Sequence, residues 1–396
     1  MAQDQDKLFS PLKVGNVQVS HRIVLAPLTR FRADDKHVPL PLVTEYYRQR
    51  ASTPGTLLIT EATFVSPRAS GLDHAPGIWN AQQIAAWKEV TDAVHAQGSS
   101  IFVQLWALGR RAVASVLARA EGGPYAVKGP SAVAVTLGGQ RNMPEALSVD
   151  EIQDLIGDYA TAARNAVEAG FDGVELHGAN GYLIDQFLHA SLNTRTDEYG
   201  GSVERRSRFG VQVTQAVIAA VGDSKKVAVR LSPWTETDGG SESADVIVPQ
   251  FLHIISELKK LDLAYLHLVE SRVSAAEVDP SDHVYRTLAS RNDVFVERWG
   301  TPNPIILAGG FTPETAEQAV QRYKDANVLV AFGRYFISTP DLPFRIHEHI
   351  DLNPYDRSTF YTPFSPKGYT DYPFSERFLA ATKAQAQGKG QVLASI

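Results

Sequence analysis

Eight short, nearly continuous apolar runs, each followed by a helical pattern, constrain this chain more than any other feature. They span residues 22–28, 56–64, 100–106, 173–178, 226–232, 264–269, 304–309 and 327–333. A strand shows an unbroken apolar run, not alternation, when both its faces are buried, as in a parallel sheet covered by helices. The segments between carry helix punctuation. Ser148-x-x-Glu151 is a capping box. Ile152, Leu155, Ile156, Tyr159, Ala163, Ala166 and Val167 then follow at helical spacing, and Gly170 stands where a left-handed cap residue is wanted. A second helix runs from Ser202 through Phe209, Val213 and Val217 to Gly222, and a third opens at Thr312 with Pro313 in its first turn. Eight βα units predict an α/β fold, a single (β/α)₈ barrel domain over residues 1–396. A doubly wound sheet is the alternative, but no GxGxxG follows any strand.

Two additions decorate the predicted barrel. Residues 12–19, turning at Gly15-Asn16, read as a hairpin that could plug its bottom. Residues 107–147, at roughly 40 residues, are too long for a plain connection and suggest a lid or substrate loop after strand three. From about residue 380 to 396 the chain is rich in Ala, Gln, Gly and Lys and reads as a flexible tail. The net charge of −6 and the lack of a basic stripe argue against nucleic acid. No apolar run approaches the ~20 residues of a membrane span, and the polar start lacks the core of a signal peptide. The absence of cysteine removes disulfides and thiolate chemistry and fits a cytoplasmic setting.

Barrels of this kind carry their chemistry at the carboxyl ends of the strands. There, Gly309, Gly310, Gly333 and Arg334 follow strands seven and eight, where backbone N–H groups and a guanidinium can grip a phosphate. The alternative is that these glycines only close tight turns. After strand four, His177 and Asn180 offer two donors that could hold a carbonyl oxygen as negative charge develops on it. Tyr182, with an ordinary pKa of about 10, is protonated at neutral pH and can deliver a proton. His95, His189, His253, His347 and His349 read as packed or surface residues. Thr29, Gln104 and Arg230 converge from other strands on the same face, with donors and a cation of the kind a flavin requires. Arg230 could instead form a buried ion pair with Glu61 or Glu175.

The runs that carry this chemistry resemble the Old Yellow Enzyme family of FMN-dependent ene-reductases, in its fungal and plant branch. They are Ala26-Pro27-Leu28-Thr29-Arg30, Val103-Gln104-Leu105-Trp106, HGANGYLIDQF at 177–187, NTRTDEYGGSVERRSRF at 193–209, GRYFISTPD at 333–341 and GYTDYP at 368–373. The resemblance implies FMN as cofactor and NADPH or NADH as hydride donor. Pro27, Leu28, Thr29, Ala62, Gln104 and Arg230 would contact the flavin ring, and Gly309, Gly310, Gly333 and Arg334 its phosphate. His177 and Asn180 would bind the carbonyl of a small enone or enal, and Tyr182 would protonate the α-carbon after hydride reaches the β-carbon from flavin N5. Trp106 and Tyr369 would line the substrate pocket. Position 62 is Ala where many relatives carry Gly, and the loop after Trp106 departs from yeast relatives, so their substrate range does not carry over.

Other classes on this barrel fit less well. A Schiff-base aldolase needs a lysine at a strand end, and none stands in the last positions of these eight runs. A metal hydrolase needs clustered ligands, and His177, His267 and Glu270 are the nearest candidates, so no metal is expected. Within the family, alkaloid-pathway reductases or isomerases and a non-catalytic flavin sensor are the rivals, and Tyr182 argues for net reduction. The assembly is expected to be a monomer or homodimer.

Overall fold

A computed structural model describes residues 7–234, 242–270 and 292–387. All eight runs form parallel strands: β1 (Ile23–Leu25), β2 (Leu57–Phe64), β3 (Ser100–Trp106), β4 (Gly173–Gly178), β5 (Val227–Leu231), β6 (Tyr265–Val269), β7 (Pro304–Ala308) and β8 (Asn327–Phe332). Each pairs with its neighbour in chain order and β8 pairs with β1, which closes the barrel. β1 is shorter than its apolar run. The Ala26 N–H still donates to the Phe332 carbonyl at 3.0 Å, but Pro27 has no N–H to continue the ladder. β2 carries a bulge between Ile59 and Ala62. There the Thr60 hydroxyl accepts from the Gln104 N–H at 3.0 Å, and the Glu61 N–H donates to the Tyr47 hydroxyl at 2.7 Å.

The predicted hairpin pairs Leu12–Val14 with Val17–Val19, turning at Gly15 with φ +56°. Its buried Val14, Val17 and Val19 pack with Val24, Ile59, Phe102 and Tyr265, so it closes the barrel's lower end. The outer helices follow their signals. In α1 (Val149–Glu168) the Ser148 and Glu151 side chains cap reciprocally, worth about 1 kcal/mol. Its buried stripe includes Ala162 and excludes Val167, which is exposed. Val167 lies one residue past the buried Ala166, about 100° around the helix and off the apolar face. α2 (Leu183–Leu188) is one short, fully buried turn. α3 (Val203–Val221) starts on Ser202 and stops at left-handed Gly222, and α4 (Pro313–Arg322) starts on Thr312.

Two segments hold more structure than composition suggests. Residues 107–147 hold local structure, including a short helix Ala114–Leu117 and a hairpin pairing Val135–Leu137 with Gln140–Asn142. The expected tail begins as a helix, Glu376–Ala386, capped by the Ser375 side chain and anchored by Phe378 against Phe344. Burying that aromatic offsets the cost of ordering a segment whose composition suggests fraying. Residues 388–396 lie outside the described part.

Candidate active site

A cavity of about 550 Å³ opens at the carboxyl ends of the strands. It runs from the β7 and β8 ends, with Gly309, Gly310, Gly333 and Arg334, across to β3 and β4, with Gln104, Trp106, His177, Asn180 and Tyr182. Pro27, Leu28 and Thr29 form one wall, and Ala62 and Arg230 also face it. Of the long loop after β3, only Arg111 reaches the cavity lining, and its Leu108, Ala112, Leu117 and Val127 pack with Ala62, Phe64 and Trp106.

Strand register brings the polar groups together. Ala62 pairs with Gln104, Gln104 with Glu175, and His177 with Arg230. The Gln104 Nε2 donates to Glu175 Oε1 at 2.7 Å, which leaves the Gln104 carbonyl oxygen to meet a ligand. His267 Nδ1 lies 2.8 Å from the other Glu175 oxygen, so it is engaged by Glu175 and is not a free ligand. Burial pushes the Glu175 carboxyl up, but His267, Arg230 and Gln104 outweigh it and hold it below its ordinary pKa. Arg230 therefore lies within the field of a buried carboxylate, yet no ion pair is formed between them, and its Nε has no hydrogen-bond partner among the described residues.

The turn after β4 presents its side chains through an unusual backbone. Asn180 adopts φ +59° and Gly181 φ +77°. The Asn180 N–H donates to the Ser232 hydroxyl at 2.7 Å, and the Gly181 N–H to Asp185 Oδ2 at 2.8 Å. The Gln186 Nε2 bonds the Gly181 and Leu108 carbonyls, tying the turn to the end of β3. The Tyr182 ring stands edge-on to Trp106 and His177, at centroid distances of 4.8 and 5.0 Å. Arg111 lies 5.7 Å from its centroid.

Burial, with Arg230 and His267 adding to it, pushes His177 well below its ordinary pKa, so it is a neutral imidazole at pH 7. Burial raises Tyr182, against the pull of Arg111 and Arg230, so it keeps its proton. Arg30, Arg111, Arg230, Arg334 and Arg357 line the cavity, and no carboxylate among the described residues does. A chain of net charge −6 thus surrounds one cationic well. That sign suits a phosphate-bearing ligand. So does Gly333, where a Cβ would press on Leu28 at 3.3 Å.

One expected residue is elsewhere. Tyr369 is fully buried behind the wall, stacked on Tyr46 at 4.2 Å, with the Arg30 and Arg32 guanidinium groups 5.0 and 4.7 Å from its centroid. The aromatic residues that reach the cavity from the C-terminal segment are Tyr355, Phe360 and Tyr361. Arg30 and Arg32 bond the carbonyls of Thr359, Phe360, Ser365 and Gly368, folding this segment over the mouth. Such a placement rests on contacts more than 300 residues apart in sequence, and no local pattern in the chain marks it. Arg111, in the Gly-Arg-Arg after β3, was the one missed residue with a local signal.

Residues 7–353 match the family model described as the NADH:flavin oxidoreductase / NADH oxidase family. The chain is 54% identical to a chanoclavine-I aldehyde reductase of Penicillium roqueforti, over 96% of this chain and 100% of that protein. It is 52% identical to a protein of Epichloe festucae var. lolii named a probable inactive reductase, covering 96% and 98%. The old yellow enzyme homologue from Zymomonas mobilis superposes with a TM-score of 0.78 at 39% identity, covering 93% of this chain and 99% of that one. With a phosphate-suited end, a cationic well and this likeness together, the chain belongs to the Old Yellow Enzyme family of flavin oxidoreductases, which bind FMN and draw hydride from NAD(P)H.

Proposed function

We propose that the chain reduces the C=C bond of α,β-unsaturated aldehydes and ketones. The observation that carries this reading is the meeting of a neutral His177, Asn180 and a protonated Tyr182 on one turn inside the cationic cavity. FMN, when bound, supplies a hydride to the substrate's β-carbon. Gly309, Gly310, Gly333 and Arg334 would hold its phosphate, and Thr29, Ala62, Gln104 and Arg230 its ring, against the wall of Pro27 and Leu28.

His177 and Asn180 donate to the substrate carbonyl oxygen and stabilise the negative charge that grows there. A neutral imidazole suits this, because it donates without giving up its proton. Tyr182 delivers a proton to the α-carbon, leaving a phenolate that Arg111 and Arg230 stabilise. Trp106 sets the tilt of the substrate by packing against both His177 and Tyr182. Phe360 and Tyr361 cover it from the mouth.

The relative from P. roqueforti bears the name of an aldehyde reductase, which favours enals as the first substrates to try. The holoenzyme is reduced anaerobically with NADPH and mixed with an enal. Reoxidation of the flavin with release of the saturated aldehyde supports the reading. An allylic alcohol would place the hydride on the carbonyl carbon, and an inert flavin would make the chain a binding protein without turnover; either result refutes it.

A further inference from the structure

The turn that carries Asn180 and Tyr182 is backed by buried charges that the proposed reaction does not use. Asp185 on α2 is fully buried, and its Oδ2 accepts from the Gly181 N–H at 2.8 Å. Its Oδ1 faces His189 Nε2 at 3.4 Å, an ion-pair contact without hydrogen-bond geometry. The opposite nitrogen of His189, Nδ1, lies 3.0 Å from Glu242 Oε2, and the other Glu242 oxygen accepts from the Ser191 N–H at 2.7 Å. His189 is thus enclosed between two carboxylates, one beneath the turn and one from the segment after β5.

The strained residue is Asn180. A non-glycine residue in the left-handed region is held there only when its surroundings over-determine it. Here the amide on its N-terminal side is fixed by Ser232 and the amide on its C-terminal side by Asp185. The second bond is charge-assisted and so the stronger of the two. It requires an ionised carboxylate at a fully buried position, which is costly without a counter-charge. We propose that His189 is a positioning residue for substrate binding: paired with Glu242, it holds the Asp185 carboxylate on the Gly181 N–H and so keeps Asn180 aimed at the substrate oxygen. This rests on the reading of His177 and Asn180 as the carbonyl-binding pair.

The charged groups facing His189 are Asp185 and Glu242, with Arg206 of α3 acting on Glu242 from beyond. Burial lowers the imidazole pKa, but the two carboxylates more than reverse this and raise it to about 9. The clamp is therefore charged at neutral pH and is lost as the pH rises past that value. Tyr182 titrates higher still, since burial raises it from 10.0.

The test titrates the holoenzyme with a nitrophenol that is already anionic at pH 7, following the long-wavelength band it forms with the flavin. His189→Gln should weaken nitrophenol binding about tenfold, the scale of one lost backbone constraint. NADPH reduction of the flavin is the control and should stay within about twofold. A merely structural role would lower both, or neither. In the unmodified protein nitrophenol affinity should step down near pH 9, and Glu242→Gln, at the solvent side of the clamp, should move that step toward neutral. The second variant serves if His189→Gln fails to fold. A step that stays in place in Glu242→Gln, or an unchanged affinity in folded His189→Gln, overturns the proposal. If instead His177→Ala and Asn180→Ala leave nitrophenol binding intact, the carbonyl-pair reading itself has failed.

Discussion

Replacing Tyr182 with phenylalanine removes one hydroxyl from a ring whose position is set by packing. The ring is held edge-on by Trp106 and His177 at 4.8 and 5.0 Å, and phenylalanine keeps both contacts. The hydroxyl makes no hydrogen bond to the described residues, so the fold should lose less than about 1 kcal/mol. The chemical cost is far larger. A positioned general acid contributes about 10²–10⁴ in rate, or about 3–5 kcal/mol in barrier height. The loss should fall on one half of the cycle alone. In rapid mixing, NADPH should reduce the flavin of Tyr182→Phe at nearly the normal rate, because no proton from this residue is involved. Reoxidation by an enal should slow by about 10²-fold or more. The remaining rate should also fall with rising pH, as solvent replaces the tyrosine as acid. Two results would refute the reasoning. If both halves slow together, the ring positions the flavin or the nicotinamide and the proton comes from elsewhere. If enal reoxidation is unaffected, solvent is the acid in the unmodified protein as well.

The His189 clamp carries a stability signature. Its folded pKa of about 9 lies above the ordinary 6.5, so its contribution is fully present below pH 6.5 and is lost as the pH rises through about 9. The shift corresponds to roughly 3 kcal/mol, and urea midpoints of the unmodified protein and His189→Gln should converge between those pH values; parallel curves would contradict it. Tyr361→Ala should raise KM for enals, whereas Tyr369→Phe should leave KM unchanged and be neutral or slightly stabilising, because its buried hydroxyl has no partner. The reverse pattern in steady-state assays would return Tyr369 to the pocket. Gly333→Val, whose Cβ would press on Leu28 at 3.3 Å, should weaken FMN retention about tenfold or more in dilution measured by released flavin fluorescence, an effect of about 1.4 kcal/mol. Tight retention would mean the phosphate lies elsewhere.

Local rules make the barrel legible in the sequence. Each of the eight strands lies within a nearly continuous apolar run, and capping residues such as Ser148, Ser202 and Thr312 mark helix starts within a residue. Those signals are short-range, because apolar periodicity and helix capping are set by near neighbours in sequence. The strand-end rule then placed His177, Asn180, Tyr182, Gln104 and Arg230 on one face, and register brought them together. What composition suggested about residues 380–386 was overridden by Phe378 packing on Phe344.

The site residues whose aim the sequence misjudged depend on long-range contacts. Tyr369 and Tyr361 lie in one aromatic-rich segment, and only the bonds from Arg30 and Arg32 decide which ring meets the cavity and which is buried behind it. His189 reads as a packed histidine until the fold sets Glu242 against its other nitrogen, 53 positions away in the chain. The left-handed Asn180 likewise needs Ser232, just past the end of β5. The chain's own pattern therefore determined the barrel and its chemical face, and marked the end proposed for a phosphate, since these follow from periodicity and from where strands stop. Tertiary structure decided the aim of the side chains and their charge states, because aim and pKa are set by desolvation and by partners that sequence distance conceals.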